Sequence, residues 1–370
     1  MAYYLLHHFD PTFDYLNLKP RQLSGGHVDF YNLGYVQNVR RGDVLAEWKL
    51  WPPEVDDGTI KCVYDEKLFP AGPNTCLDPD NPDRLLAAAD GYVFYLDGFI
   101  TVKRTLNVRR DVDFHTGNIF FRGNVVVHGS VRSGFEVRGV NVMVKDIVEG
   151  ADVRAEDSVV VESGIKGGGK AEVRAERNIR APFAENARLL AGRSLLIDGA
   201  CMHCDVYSGH KLAVKGMLVG GRAVSSRLIF VGEQLGGGLS TETNLILGYD
   251  AVTLYKAHLL STRIRELTAQ LDENRSRLER HPELRKEFFP IISRDEERLA
   301  LFKDRHNELW KSIHKVKDLE NCAVVVPGRV RPGVEVTIGE ARLVVDDYLE
   351  NVRFQYRDYE VVIESPALRK

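Results

Sequence analysis

Short apolar bursts recur along the middle of the chain: NVVV at 124, NVMV at 141, SVVV at 158, NIRA at 178, SLLI at 194, KLAV at 211 and RLIF at 227. Their first residues lie 17, 17, 20, 16, 17 and 16 positions apart, and the long interval holds the extra glycines of GIKGGGK at 164–170. Two further apolar points fall in each period, such as Val131, Ile147, Ile165, Cys201 and Leu218, then Val137, Val153, Val173, Leu189 and Val206. Each period therefore predicts three short strands. A unit this short cannot enclose a core of its own, so the repeat means stacking, with each coil burying the next. Period-two alternation within strands of three to five residues, broken by Gly and small polar residues, predicts a mainly β fold: a right-handed parallel β-solenoid with three faces. At about 4.8 Å per coil, seven coils would rise roughly 35 Å.

The period is confined to residues 116–250, and the flanks have other textures. An uncovered solenoid end presents unpaired strand edges, so caps are expected. Residues 1–115 are rich in β-formers, Gly and Pro, as in GHVDFYNLGYV and ADGYVFYLDGFITVKRTLNV, and predict a small N-terminal β domain. Within it LFPAGPNTCLDPDNPDR at 68–84 has four prolines and reads as an irregular loop, not a strand. From 251 to 320 the apolar spacing becomes heptad-like, through Leu260, Ile264, Leu267, Leu271 and Leu278, and again through Leu299, Phe302, Leu309, Ile313 and Val316. The pattern predicts an inserted antiparallel α-helical coiled-coil hairpin, its helices separated by HPELRKEFFP between Pro282 and Pro290. Strand texture returns in 321–370, where the last strands would add a coil or lie over the open end.

Composition narrows the function. With 370 residues, 44% of them apolar, and a net charge of −3, the chain can bury one or two cores and lacks the bias of a general nucleic-acid or membrane-surface binder. The helical segment 252–320 carries 15 Lys plus Arg against 13 Asp plus Glu, too balanced for a nucleic-acid clamp. Five cysteines, an odd number, suit a reducing compartment. The start, MAYYLLHHFDPTFDY, has no basic segment followed by an apolar core, and no window reaches the roughly 18 apolar residues of a membrane helix. A cytoplasmic protein without membrane insertion is the expectation.

The run TGNIFFRGNVVVHGSVRSGFEVRG, followed by IVEGADVRAE, SGIKGGGKAEVRA, IRAPFAENARLLAG, the MHC segment and LVGGR, resembles the flagellar assembly protein A family. The likeness extends from about Val36 to the end and includes the order of solenoid, helical hairpin and returning strands. It implies a bacterial, cytoplasmic protein acting in flagellar assembly or its placement, with a solenoid similar to the C-terminal domain of the septum-placement inhibitor that binds a membrane-associated ATPase. Protein partners follow from it, a flagellar regulator or a MinD-like ATPase; a homodimer is the separate expectation from the heptad-like arm, since arms of this length often pair, although an antiparallel hairpin can also satisfy its own seam. Longer members carry a further N-terminal domain for which this chain has no room. Turns that usually read Ala-Gly-Gly-Asp are AEDS or AERN here.

Four polar residues stand out as candidates for binding. Glu185 and Asn186, inside FAENA, form the most family-like polar pair. With Glu149 in IVEGA and His203 in CMHC they define a candidate face for a partner or small molecule. The alternative for Asn186 is a turn residue that satisfies backbone groups and tolerates left-handed geometry. Cys201-Met-His-Cys204 has two thiols and an imidazole but no second CxxC pair, so Cys201 reads as a ladder residue and no metal site is assigned. GIKGGGK and GEQLGGG lack the Gly-Lys-Ser/Thr spacing of a phosphate loop and read as turns. No ligand set surrounds His7 and His8. The period of about 17 is not the six-residue beat of solenoid acyltransferases, and no column of stacked Asp marks a lyase. The leading expectation is a non-catalytic scaffold without a cofactor, ahead of a polymer-forming cytoskeletal solenoid and of an enzyme with its site on the solenoid face.

Overall fold

The computed structural model describes residues 2–22, 28–51, 62–313 and 319–367, with nothing on the side chains of Arg21 and Ser312. The chain divides into two compact units, Met1–Leu189 and Leu190–Lys370. The fold is mainly β, a parallel β-solenoid with small antiparallel sheets at the N-terminus and a two-helix insertion.

The first unit opens with antiparallel strands. Tyr3–His7 pairs Val44–Leu50, which pairs Arg84–Ala87, while Asn38–Val39, Gly91–Leu96 and Phe99–Lys103 form a separate three-stranded sheet. Both sheets feed one core around Leu45, Leu85, Val93, Ile100 and Val102. The turn at Asp97-Gly98 has φ of 50° and 83° and joins Leu96 directly to its partner Phe99, a two-residue hairpin that needs left-handed residues. The segment expected to be an irregular loop contains a strand, Thr75–Leu77, paired with Arg84–Ala87. The three residues are free of proline and lie at a sheet edge, where only one neighbour must be satisfied; the four prolines flank them.

Coils then begin. Thr105–Val108, Asn124–Val127, Val142–Val144, Ser158–Val161 and Asn178–Ala181 follow one another along one face of the first unit, each parallel to the next in register. The first rung precedes the expected boundary at 116. It escapes the 17-residue pattern because Asp113–Gly117 forms a turn closed by the Thr116 hydroxyl, stretching the interval to 19. A second face stacks Ile119, Val137, Val153 and Val173, and a third stacks Val112, Val131, Val148 and Ile165. All of these are buried, most of their neighbours in sequence are more exposed, and no single coil closes a core without the next.

In the second unit Ser194–Ile197, Lys211–Val214 and Leu228–Val231 continue the same arrangement, with Cys201, Leu218, Leu235 and Val330 on one further face and Val206, Ala223, Leu245 and Val336 on the other. After Thr243–Leu247 the chain leaves the coils for two helices, α1 (Ala251–Arg280) and α2 (Arg285–Ser312). It then returns as Ala323–Val330, which pairs parallel with Leu228–Val231, and Val334–Ile338, which pairs parallel with Thr243–Leu247. Ala341–Val344, Leu349–Arg357 and Glu360–Glu364 pair antiparallel and finish the sheet. The returning strands thus both add a coil and turn back over it.

The helices start where Asp250 caps the amides of Val252 and Thr253. They run antiparallel: Ser261 meets His306 and Arg275 meets Glu296, with Leu267, Leu271 and Ile292 buried between them. The break is tighter than the expected 281–290 segment. Only His281 and a short 3-10 turn, Pro282–Leu284, separate the helices, and Pro290 lies inside α2. Packing of Phe288 and Ile292 against the seam holds that turn helical despite the missing amide. Val316 lies outside the described residues.

Candidate functional site

Glu149 ends the strand Ile147–Glu149 and is not a free carboxylate. Arg132 donates from Nη1 to Glu149 at 2.9 Å and from Nε to Asp111 at 2.8 Å, so one guanidinium bridges carboxylates on the coils either side of it. Those hydrogen bonds hold Arg132 charged, above the ordinary guanidinium range. Asp111 also accepts from the Ser130 amide at 2.8 Å, which ties the clamp to the backbone.

Glu185 and Asn186 adjoin at the start of Ala184–Ala191. Glu185 is exposed, and the Asn186 amide donates to its carboxylate at 3.2 Å. Asn186 has φ of +48°, a left-handed conformation that asparagine tolerates better than most residues. Its carbonyl sits close over Gly167, where an added Cβ would lie 2.2 Å from that oxygen. Lys166 is the register partner of Glu149, so the Gly167 coil separates Glu149 from the Glu185 pair. Two coils amount to roughly 10 Å of rise, which keeps the two carboxylates from sharing a proton.

His203 belongs to the second unit. It is exposed, has φ of +51°, and lies over Gly220, where a Cβ would come 2.5 Å from its Nδ1. Its flanking cysteines turn inward: Cys201 and Cys204 are buried, and the Cys201 thiol is pushed well up by its hydrogen bond with Cys204 and by burial. Cys201 stacks on Leu218 as a ladder residue. The left-handed conformation of the intervening His203 breaks strand alternation and lets both cysteines point into the core.

Two further groups were not singled out from the sequence. On the second face of the first unit, Glu136, Asp152 and Glu172 stand opposite Arg138, Arg154 and Arg174, each carboxylate paired along its own strand, with Arg154 also reaching Glu136 at 3.6 Å and Arg188 reaching Glu172 at 3.6 Å. The signal was there in the alternating EVRG, DVRA and EVRA. At the base of α1, His258 accepts from Arg222 at 2.9 Å and faces Asp205 at 3.7 Å, while Tyr255 meets Tyr207 edge-on at 5.3 Å between ring centres. Asp205 and Arg222 are register partners, so a repeat position carries the charges that seat the helix.

Coils stacked in parallel, outward polar ladders and an inserted helical pair define a β-solenoid protein with a helical arm. Residues 104–361 match the family model described as the Flagellar Assembly Protein A beta solenoid domain, and the chain belongs to that family. No curated protein and no solved structure matches the chain.

Proposed function

We propose that this protein is a non-catalytic scaffold in flagellar assembly or its placement, holding protein partners on its solenoid surface and its helical arm. The carrying observation is how the arm is attached. Among the described residues the first turns of α1 rest on the coils: Ala251 and Tyr255 are buried against Tyr207 and Val224, and His258 reaches Arg222. Beyond them the buried residues of α1, Leu267 and Leu271, face α2. A helix of 30 residues is about 45 Å long, so most of the pair is free of the coils and presents side chains to solvent, among them Phe289, Leu301 and Trp310. A seam satisfied within the pair leaves that outer surface for a partner, such as a flagellar regulator, a nucleotide-dependent ATPase or a second copy of the chain.

The scaffold reading is favoured over end-to-end polymerisation because both ends of the coil run are occupied. In the first unit the Asn38 side-chain amide donates to the Phe120 carbonyl at 2.8 Å, and the Asn118 amide donates to the Tyr31 carbonyl at 2.6 Å, so the N-terminal segment covers the first coils. In the second unit the antiparallel strand Leu349–Arg357 pairs along Ala323–Val330.

The test replaces 263–305 by a short Gly-Ser loop, keeping the seated base of α1, and installs photo-crosslinking residues at 301 and 310 in the intact chain. Crosslinks to one defined protein in the source bacterium, together with altered flagellar number or position in the loop variant, are expected. Normal flagella in a strain whose loop variant folds and accumulates would refute a docking role for the arm.

A further inference from the structure

The first unit contains a cleft of about 870 Å³ between the three-stranded sheet and the first coils, lined by none of the four candidate residues Glu149, Glu185, Asn186 and His203. One wall is aromatic. Tyr92 and Phe94 project from the same face of Gly91–Leu96 and stack at 5.1 Å with 21° between ring planes, and Tyr35 meets Tyr15 edge-on at 5.7 Å. The other wall is cationic. Lys103, the register partner of Tyr92, sits with Nζ 5.0 Å from the centre of the Phe94 ring, and Arg109 and His128 follow the first two rungs. The floor is polar, with Asn107 Oδ1 3.3 Å from His128 Nε2.

The charges do not cancel. Asp10 is the acidic residue on the lining, and its carboxylate is engaged by the Thr12 amide at 2.8 Å and hydroxyl at 2.7 Å. Lys103 and Arg109 are both exposed, and no ion pair involves either of them among the described residues. The walls are pre-positioned. The Gln37 side chain clasps the Asp10 backbone from both sides, accepting from its amide at 2.7 Å and donating to its carbonyl at 2.9 Å, which fixes the segment that carries Phe13 and Tyr15. Burial holds the Tyr35 phenol up at about 12, so it stays a neutral hydroxyl able to donate.

A cleft of this size, apolar on one side with a few cations on the other, suits a small ligand. The flat faces of Tyr92 and Phe94 favour a planar ring, since planar bases stack on aromatic side chains whatever their edge pattern. The unpaired cations favour an anion attached to that ring. We propose that this cleft binds a small molecule made of a planar aromatic ring carrying an anionic group, of mononucleotide size, with the ring against Tyr92 and Phe94 and the anion toward Lys103 and Arg109. The same chemistry could come from a nucleoside phosphate or from an aromatic carboxylate, and the probes separate them.

The experiment titrates the full chain by calorimetry with AMP, GMP, indole-3-acetate, adenosine and inorganic phosphate, and repeats it with Tyr15→Ala, with Lys103→Gln plus Arg109→Gln, and with Lys145→Gln as a surface-charge control. Saturable binding of a nucleotide or of the aromatic carboxylate is expected, weakened at least tenfold by the double charge variant and severalfold by Tyr15→Ala, and unchanged in the control. Adenosine should bind at least tenfold more weakly than AMP if the nucleotide is the source. The replaced side chains are exposed, so unchanged circular dichroism is expected and makes each comparison interpretable. Absence of binding by all three ring-bearing anions at millimolar concentration overturns the proposal, and so does binding that survives in the double variant or that inorganic phosphate alone reproduces.

Discussion

Gly167 and Gly168 are adjacent, yet alanine at each should behave differently. At Gly167 an added Cβ would lie 2.2 Å from the Asn186 carbonyl oxygen, 2.7 Å from its carbon and 2.8 Å from the Ala187 Cα. All three are backbone atoms of the neighbouring coil, so no side chain can swing aside, and the coils must part by about 1 Å to restore contact distance. The hydrogen bond from the Ile165 amide to the Phe183 carbonyl is 3.0 Å now, and the same displacement would carry it beyond bonding range. That bond is worth about 1 kcal/mol, and overpacking against rigid backbone adds about 1–3 kcal/mol, so the cost of Gly167→Ala is about 2–4 kcal/mol. At Gly168 nothing lies within 4 Å of the added carbon, and φ is +55°. Gly168→Ala therefore carries only the left-handed penalty of about 1–2 kcal/mol, partly offset because alanine loses less backbone freedom on folding. Urea unfolding followed by far-ultraviolet circular dichroism, with hydrogen exchange at the Ile165 amide as a local readout, compares the two. A loss for Gly167→Ala no larger than for Gly168→Ala would refute the idea that backbone approach between coils sets the identity of that glycine.

The remaining predictions test other layers. Leu195→Ala, in a ladder position with 1% exposure, should cost about 2–5 kcal/mol, while Leu196→Ala on the outward side of the same rung should cost under about 1, as read by denaturant midpoints. His7 Nε2 lies 2.7 Å from the Tyr95 hydroxyl, and burial, then the charge of His8, lowers its proton affinity below the usual imidazole range. The unfolded chain then binds more protons than the folded one, so stability falls as pH drops through about 6.5 toward the lowered folded value, and the penalty is absent above that range. His7→Gln should flatten the part of this slope between pH 7.5 and 5.5 that belongs to the first unit, and an unaltered slope would contradict the assignment. Arg222→Gln should loosen the base of α1 without unfolding the coils, raising amide exchange at Tyr255 and His258 while Leu212 and Ile229 stay protected; equal exchange everywhere would argue against a separately seated arm.

The coils were legible in the sequence because burial in a solenoid is strictly periodic: every inward position must be small or apolar, and none can be exchanged with its outward neighbour. Legibility failed where local geometry replaced periodicity. The rung at Thr105–Val108 was hidden by the Asp113–Gly117 turn, Thr75–Leu77 by the prolines around it, and the second turn of α2 by Pro290, whose effect on the helix depends on the seam. At the candidate site the residue types were visible and their partners were not. Glu149 reads like any turn carboxylate until Arg132, one coil away, is seen to hold it. Pairings between coils depend on which outward side chains fall in register, and a hydrophobic pattern carries no information about them.

The left-handed corners of the coils differ in how they are filled. Gly150 and Gly168 in the first unit, and Gly220 in the second, meet this backbone requirement with glycine, the residue that adopts it without a steric penalty. Asn186 and His203, one 17-residue period apart in the chain, meet it with a side chain, at φ of +48° and +51°. Asparagine is the ordinary exception, and its amide finds Glu185. Histidine is also tolerated there better than most residues but still carries a steric penalty that glycine does not, so at an exposed position a cost of about 1 kcal/mol is retained for a ring that makes no hydrogen bond among the described residues. His203→Gly should therefore raise the stability of the second unit slightly, by up to about 1 kcal/mol. If the same substitution also lowers the yield of whatever protein the photo-crosslinking residues at 301 and 310 capture, the ring is kept for binding. If stability falls instead, its contact over Gly220 is structural and His203 leaves the set of binding candidates.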